Sequence, residues 1–214
     1  MSDENDFKYS IMSDPMKFIT NNVMTAIGFN AVHGPNPRTG PNVFYLKKLE
    51  TIGNVNYIAL SLKGTNTGLS GYWVPQGGSC LVPATPNAGC IVFTPDFSGC
   101  SIQVDMISEG LLNIYHVQGG KRNYENEYLC KNHGLGRVVS MSADDYGNID
   151  NPRGFAFLHY SASEGWRIYG QRQIGRGFSI TGNVISDCRS IRIERSFYKD
   201  FKKTPEEVKY DPPS

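Results

Sequence analysis

The segment Thr94-Pro95-Asp96-Phe97-Ser98-Gly99-Cys100, followed by a strand-like run that delivers His116, brings a hydroxyl, a thiol and an imidazole into one short stretch of chain. These are the parts of a cysteine nucleophile: a group that becomes a thiolate, a base that takes its proton, and a third group that fixes the base. Gly99 lets the backbone turn tightly before Cys100 and lets a substrate carbonyl approach the sulfur. The turn Ser108-Glu109-Gly110 closes a hairpin between Ser101-Ile102-Gln103-Val104 and Leu112-Asn113-Ile114-Tyr115-His116. Cross-strand neighbours lie about 4.5–5.5 Å apart at Cβ, close enough for His116 to stabilise a Cys100 thiolate. Thr94 ends the preceding strand, where it can hold the far nitrogen of His116 and set the tautomer. Main-chain N–H groups around Ser98, Gly99, Cys100 and Ser101 are candidates for an oxyanion hole. Asp96 works against ionisation of the thiol unless its carboxylate points away or is paired.

The remaining thiols and imidazoles read as packing groups. Five cysteines are an odd number, which argues against a secreted disulfide scaffold and leaves at least one free thiol. Cys80, Cys90 and Cys100 stand ten residues apart, too far for a zinc knuckle, so no metal or cofactor is expected. Cys80, Cys90, Cys130 and Cys188 are expected in the core, and His33, His133 and His159 as satisfied structural groups. With 21 basic against 20 acidic residues there is no global field to draw the chain onto nucleic acid or a membrane surface. The basic stretch from Arg189 to Lys203 is interrupted by Glu194 and Asp200 and reads as a solvated face. No window approaches the roughly 18 apolar residues of a membrane span. The acidic opening Met1-Ser2-Asp3-Glu4-Asn5-Asp6 is unlike a signal peptide, so synthesis in the cytoplasm as a monomer is expected.

The elements that must position these residues are strands. Ser13-Asp14-Pro15 is a cap followed by a first-turn proline, and Phe18, Ile19, Val23 and Ile27 recur near helical spacing, predicting one helix over about 15–28. The Gly- and Pro-rich run from Gly34 to Asn42 excludes regular structure. Beyond it the period changes to two, in runs such as Tyr57-Ile58-Ala59-Leu60, Cys90-Ile91-Val92-Phe93 and Gly154-Phe155-Ala156-Phe157-Leu158. The expected fold is β-rich α+β: a β-sandwich of mostly antiparallel strands flanked by a few helices. Residues 1–12 are expected to be a flexible tail, 13–203 a single catalytic domain, and the charged, Pro-rich 204–214 a second tail.

The chain carries the pattern Thr-x-x-x-Ser-Gly-Cys, with Pro95 and Asp96 as a departure inside it, and a histidine on the following strand. It resembles the glutamine deamidase toxins of the cytotoxic necrotizing factor and Burkholderia lethal factor type, and more distantly the chemoreceptor glutamine deamidases. The matching residues are Phe97-Ser98-Gly99-Cys100, His116, Thr94 six positions before the cysteine, and Trp73-Val74-Pro75 upstream. The resemblance implies a β-sandwich fold and a Cys100–His116–Thr94 triad that converts a glutamine of a host protein to glutamate. Transglutamination is implied as a side activity. It further implies delivery of a bacterial effector to the host cytosol, with a Rho-family GTPase or a translation initiation helicase as partner. Two alternatives remain open on the residues alone: a cysteine peptidase or acyltransferase using the same dyad, and a noncatalytic β-sandwich binding module.

Overall fold

The computed structural model describes residues 3–29, 36–65, 67–147, 153–181 and 184–209. His33, the Gly34-Pro35 start of the Pro-rich run and residues 210–214 of the expected C-terminal tail lie outside them. Two helices come first, α1 (Asp3–Ser13) and α2 (Pro15–Asn21). Six strands follow: β1 (Asn22–Thr25), β2 (Gly40–Ile52), β3 (Val55–Ser61), β4 (Leu69–Trp73), β5 (Ser79–Pro83) and β6 (Ile91–Phe93). Next stand the hairpin β7 (Ser101–Ser108) and β8 (Leu111–Val117), then α3 (Lys121–Tyr124) running into a π-helical turn, Glu125–Leu129. The chain continues through β9 (Gly136–Met141), α4 (Ala143–Tyr146), β10 (Gly154–Ser161) and β11 (Gly165–Gly175). A small hairpin, β12 (Ser179–Thr181) with β13 (Val184–Ser186), precedes β14 (Ile191–Asp200).

The strands form an eight-stranded sheet, β1-β3-β2-β4-β6-β10-β11-β14, and a four-stranded sheet, β5-β8-β7-β9. All pairings within them are antiparallel except β1 with β3 and β4 with β6. Period-two alternation sorts the side chains into layers. Ala156 and Leu158 of β10 face the smaller sheet, where they pack with Ile102, Val104 and Ile114, while Phe155 and Phe157 face α1 and α2 with Ile11, Phe18 and Ile19. The outer face of the smaller sheet is covered in turn by Tyr124 and Tyr128 against Tyr115 and Val117. This is the β-rich α+β sandwich with few helices that the strand pattern predicts.

Three boundaries differ from expectation. Asp14 caps α2 as predicted, its carboxylate accepting the Lys17 N–H at 3.0 Å, but the helix stops at Asn21 instead of running to about 28. The reason is tertiary. Gln171 of β11 donates to the carbonyls of Ile19 (2.8 Å) and Asn22 (2.9 Å) and accepts the Met24 N–H (2.9 Å), so it satisfies the helix end and sets up β1. All four residues of β1 are buried, and helical spacing there was only the shadow of an apolar strand. Residues Asp3–Ser13 are a helix rather than a flexible tail, anchored by the fully buried Ile11 and an edge contact of Phe7 on Phe18. At the other end the ordered unit passes 203: Glu206 exchanges two backbone hydrogen bonds with Arg137, and Val208 packs beside the Tyr115–Tyr128 cluster.

Candidate functional site

Two residues of the expected triad, Thr94 and His116, meet between the two sheets, and Cys100 stands on the turn that leads into β7. In the β7–β8 hairpin Ile102 stands opposite His116. Cys100, two residues before Ile102, therefore faces the same inter-sheet space one diagonal step from the imidazole, rather than directly across from it. Thr94 follows β6 of the larger sheet, two residues after the inward-facing Val92. Cys100 is 5 % exposed, Thr94 2 % and His116 1 %.

The hydroxyl of Thr94 lies 2.8 Å from the Val74 carbonyl and 2.6 Å from Nδ1 of His116. A carbonyl can only accept, so the single Thr94 proton goes to Val74 and Nδ1 must carry the proton donated to Oγ1. That leaves Nε2 as the basic lone pair. It is buried and has no hydrogen-bond partner among the described residues. The ring is held flat against Phe97, stacked at 4.7 Å and 8°. Exchanged backbone bonds fix its main chain: Gly77 N–H to the His116 carbonyl at 2.8 Å, His116 N–H to the Gly78 carbonyl at 3.0 Å.

Two further contacts shape the turn before Cys100. Gly99 has φ +97°, the left-handed region that glycine occupies without strain. The buried Tyr146 hydroxyl clamps that turn, accepting the Gly99 N–H at 2.9 Å and donating to the Cys100 carbonyl at 2.6 Å. Gly99 is thereby withdrawn from the expected oxyanion donors, because its N–H is already spent. Main-chain N–H groups of Ser98 and Gly119 lie near the Cys100 sulfur and partly offset the effect of burial on its pKa. Ser101 is buried, with its hydroxyl accepting from Gln103 at 3.2 Å.

Asp96 does not oppose the thiol. Its carboxylate turns away to Thr25 (2.5 Å) and the Ala26 N–H (2.7 Å), and burial pushes its pKa up to about 6. The electrostatics of the dyad differ from the thiolate–imidazolium pair that the residues suggest. Burial holds the Cys100 thiol above its ordinary pKa, with the Glu127 charge adding to the effect, while burial alone lowers His116 to about 3. The Cys100 thiol and the His116 imidazole are therefore both neutral at rest, and Nε2 of His116 makes no hydrogen bond to the thiol.

All five cysteines are free: Cys80, Cys100 and Cys188 are buried, Cys90 is half-buried and Cys130 exposed. Cys130 thus departs from the core reading given above. Nδ1 of His133 lies 2.7 Å from the Asp105 carboxylate and its ring touches Tyr128. His159 is buried against Tyr169, but its Nε2 has no hydrogen-bond partner among the described residues, so it is not the satisfied structural group expected above. Among the described residues no group of three or more His, Cys, Asp or Glu side chains is placed to hold a metal ion. Tyr146, Gly119 and Glu127 escape the sequence reading. For Gly119 a signal exists in the Gly119-Gly120 pair directly after the histidine strand; for Tyr146, 46 residues from Cys100, there is none.

No protein-family model matches this chain, and no curated protein matches it.

Proposed function

We propose that this protein is a cysteine-dependent amide hydrolase, a protein-glutamine deamidase in which Cys100 is the nucleophile, His116 the proton carrier and Thr94 the residue that orients it. The observation that supports it most directly is the two-bond chain from the Val74 carbonyl through the Thr94 hydroxyl to Nδ1 of His116. A buried histidine whose tautomer is locked by one neighbour, with its other nitrogen left free on the face that carries a cysteine, is what general-base activation of a thiol needs.

With both groups neutral at rest, proton transfer accompanies attack. As the sulfur bonds to the side-chain carboxamide carbon of a glutamine, the S–H proton passes to Nε2. The imidazolium gives that proton to the departing nitrogen; the C–N bond breaks, ammonia leaves and a thioester remains. Water then adds to the thioester carbon, giving a proton to Nε2. Collapse releases glutamate and returns the proton to sulfur. An amine in place of water gives transglutamination. The Ser98 and Gly119 N–H groups near the sulfur are the candidate donors to the developing oxyanion.

By its resemblance, the substrate is a host regulatory protein, a Rho-family GTPase or a translation initiation helicase, reached in the host cytosol by a bacterial effector. A second reading, the noncatalytic β-sandwich module, draws on the burial of Cys100 and the open Nε2 of His116. The two part on activity. Mass spectrometry of a eukaryotic lysate treated with wild type should find a glutamine converted to glutamate, or an amine probe incorporated, and Cys100→Ser should abolish both. Identical glutamine patterns for the two proteins would leave the binding module in place.

A further inference from the structure

The π-helical turn Glu125–Leu129 places the Glu127 carboxylate against Gln118, which follows the His116 strand, and Gly77. π-Helical insertions recur at functional sites because they re-aim one side chain out of helical register. Oε2 of the half-buried Glu127 accepts the Gln118 N–H at 2.7 Å. A Cβ built on Gly77 would stand 3.2 Å from Oε1 of Glu127 and equally close to Oε1 of Gln118, so both side chains close on that glycine. Gly77 in turn holds the His116 carbonyl, and Gly119, next to Gln118, lies against Gly99, the residue before Cys100, with its N–H near the sulfur. Gly119 is also packed so tightly on the Gly99 carbonyl that a Cβ there would come within 2.8 Å of it. The cover over the thiol and the loop behind the imidazole therefore share one anchor, and that anchor carries a negative charge.

We propose that Glu127 is the gate of Cys100: its carboxylate pins the Gln118–Gly119 segment over the sulfur and admits cationic groups in preference to anionic ones, so that the amide to be cleaved lies beside a lysine or arginine of the target. A lysine or arginine is the group that can draw Glu127 off the Gln118 N–H, because a charge-assisted pair replaces that bond with a stronger one. An acidic neighbour meets like charge and leaves the cover closed. The target rests on the amide-hydrolase reading, whereas the gate itself concerns the thiol and survives if no glutamine is ever modified.

The test reads alkylation rates at each cysteine by peptide mapping, in wild type and Glu127→Gln, with neutral iodoacetamide and with a matched pair of thiol reagents, one bearing an ammonium and one a sulfonate. Cys80 and Cys188, as buried as Cys100, report any general loosening, and exposed Cys130 reports intrinsic reagent reactivity. Glu127→Gln keeps an acceptor for Gln118 and removes the charge. Loss of the Glu127 charge also lowers the Cys100 pKa, so rates are corrected for the thiolate fraction from each protein's pH–rate profile. A neutral amide is the weaker pin, so iodoacetamide should then reach Cys100 roughly tenfold faster than in wild type, with Cys80 and Cys188 unchanged. The ammonium-to-sulfonate rate ratio at Cys100 should fall to that of Cys130. An unchanged iodoacetamide rate, an unchanged ratio, or a rise shared equally by Cys80 and Cys188 each overturns the proposal.

Discussion

Replacing Thr94 by valine keeps the shape of the side chain and removes the one group that serves both Val74 and His116. The Val74 carbonyl and the Nδ1–H of His116 are then left without partners in a space where Thr94 is 2 % and His116 1 % exposed. Each buried polar group deprived of its partner costs about 1–3 kcal/mol, so the pair should cost about 2–5 kcal/mol after the added methyl recovers part of it. Against a total stability of about 5–15 kcal/mol for a domain, that is a large fraction. Thr94→Ser keeps the hydroxyl and gives up one buried methyl, a loss of about 1 kcal/mol. Urea unfolding should therefore rank the proteins wild type, then Ser, then Val, with unchanged m-values. Nitrogen NMR of the His116 ring should show the Nδ1–H tautomer in wild type and Ser and a mixture in Val. If Val unfolds at the same urea concentration as Ser with the same ring spectrum, the hydroxyl does not orient the imidazole. Turnover in the proposed deamidase reaction is expected to follow the same order.

Asp96 makes a prediction whose sign is diagnostic. Its carboxyl stands at about 6 in the fold against 3.8 in the unfolded chain, so the native state binds the proton more tightly and stability falls as pH rises between those values. Asp96→Asn should gain about 2–3 kcal/mol on wild type between pH 4 and pH 8; a difference that does not change with pH would refute it. Gly119→Ala places a methyl 2.8 Å from the Gly99 carbonyl, and calorimetry should show a loss of about 1–3 kcal/mol. A melting curve that overlays wild type would mean that the two glycines do not need their close approach. Tyr146→Phe removes the clamp on Gly99 and Cys100 and should cost about 1–3 kcal/mol together with most of the activity. Full activity in that variant would show that the nucleophile turn holds its shape without the phenol.

What the sequence by itself determined is what local chemistry can encode. Asp14-Pro15 starts a helix because a carboxylate meets a free N–H and a proline needs none, and the helix begins there. Alternation of apolar residues in β7, β8 and β10 marks strands because side chains on a pleat point to opposite faces, and the Ser108-Glu109-Gly110 turn falls between β7 and β8 as read. Thr94, Cys100 and His116 were legible as types at a spacing. The tertiary structure decided the rest. The end of α2 depends on Gln171, about 150 residues away, so no local window contains the reason. Gly77-Gly78 and Pro83 bracket β5 with turn chemistry, and it is β8, paired with it over its whole length, that makes it a strand. Protonation in the dyad was misread for the same physical reason. Residue types say that an imidazole activates a thiol, but the charge state follows from desolvation, and desolvation exists only once two sheets have closed over Cys100 and His116.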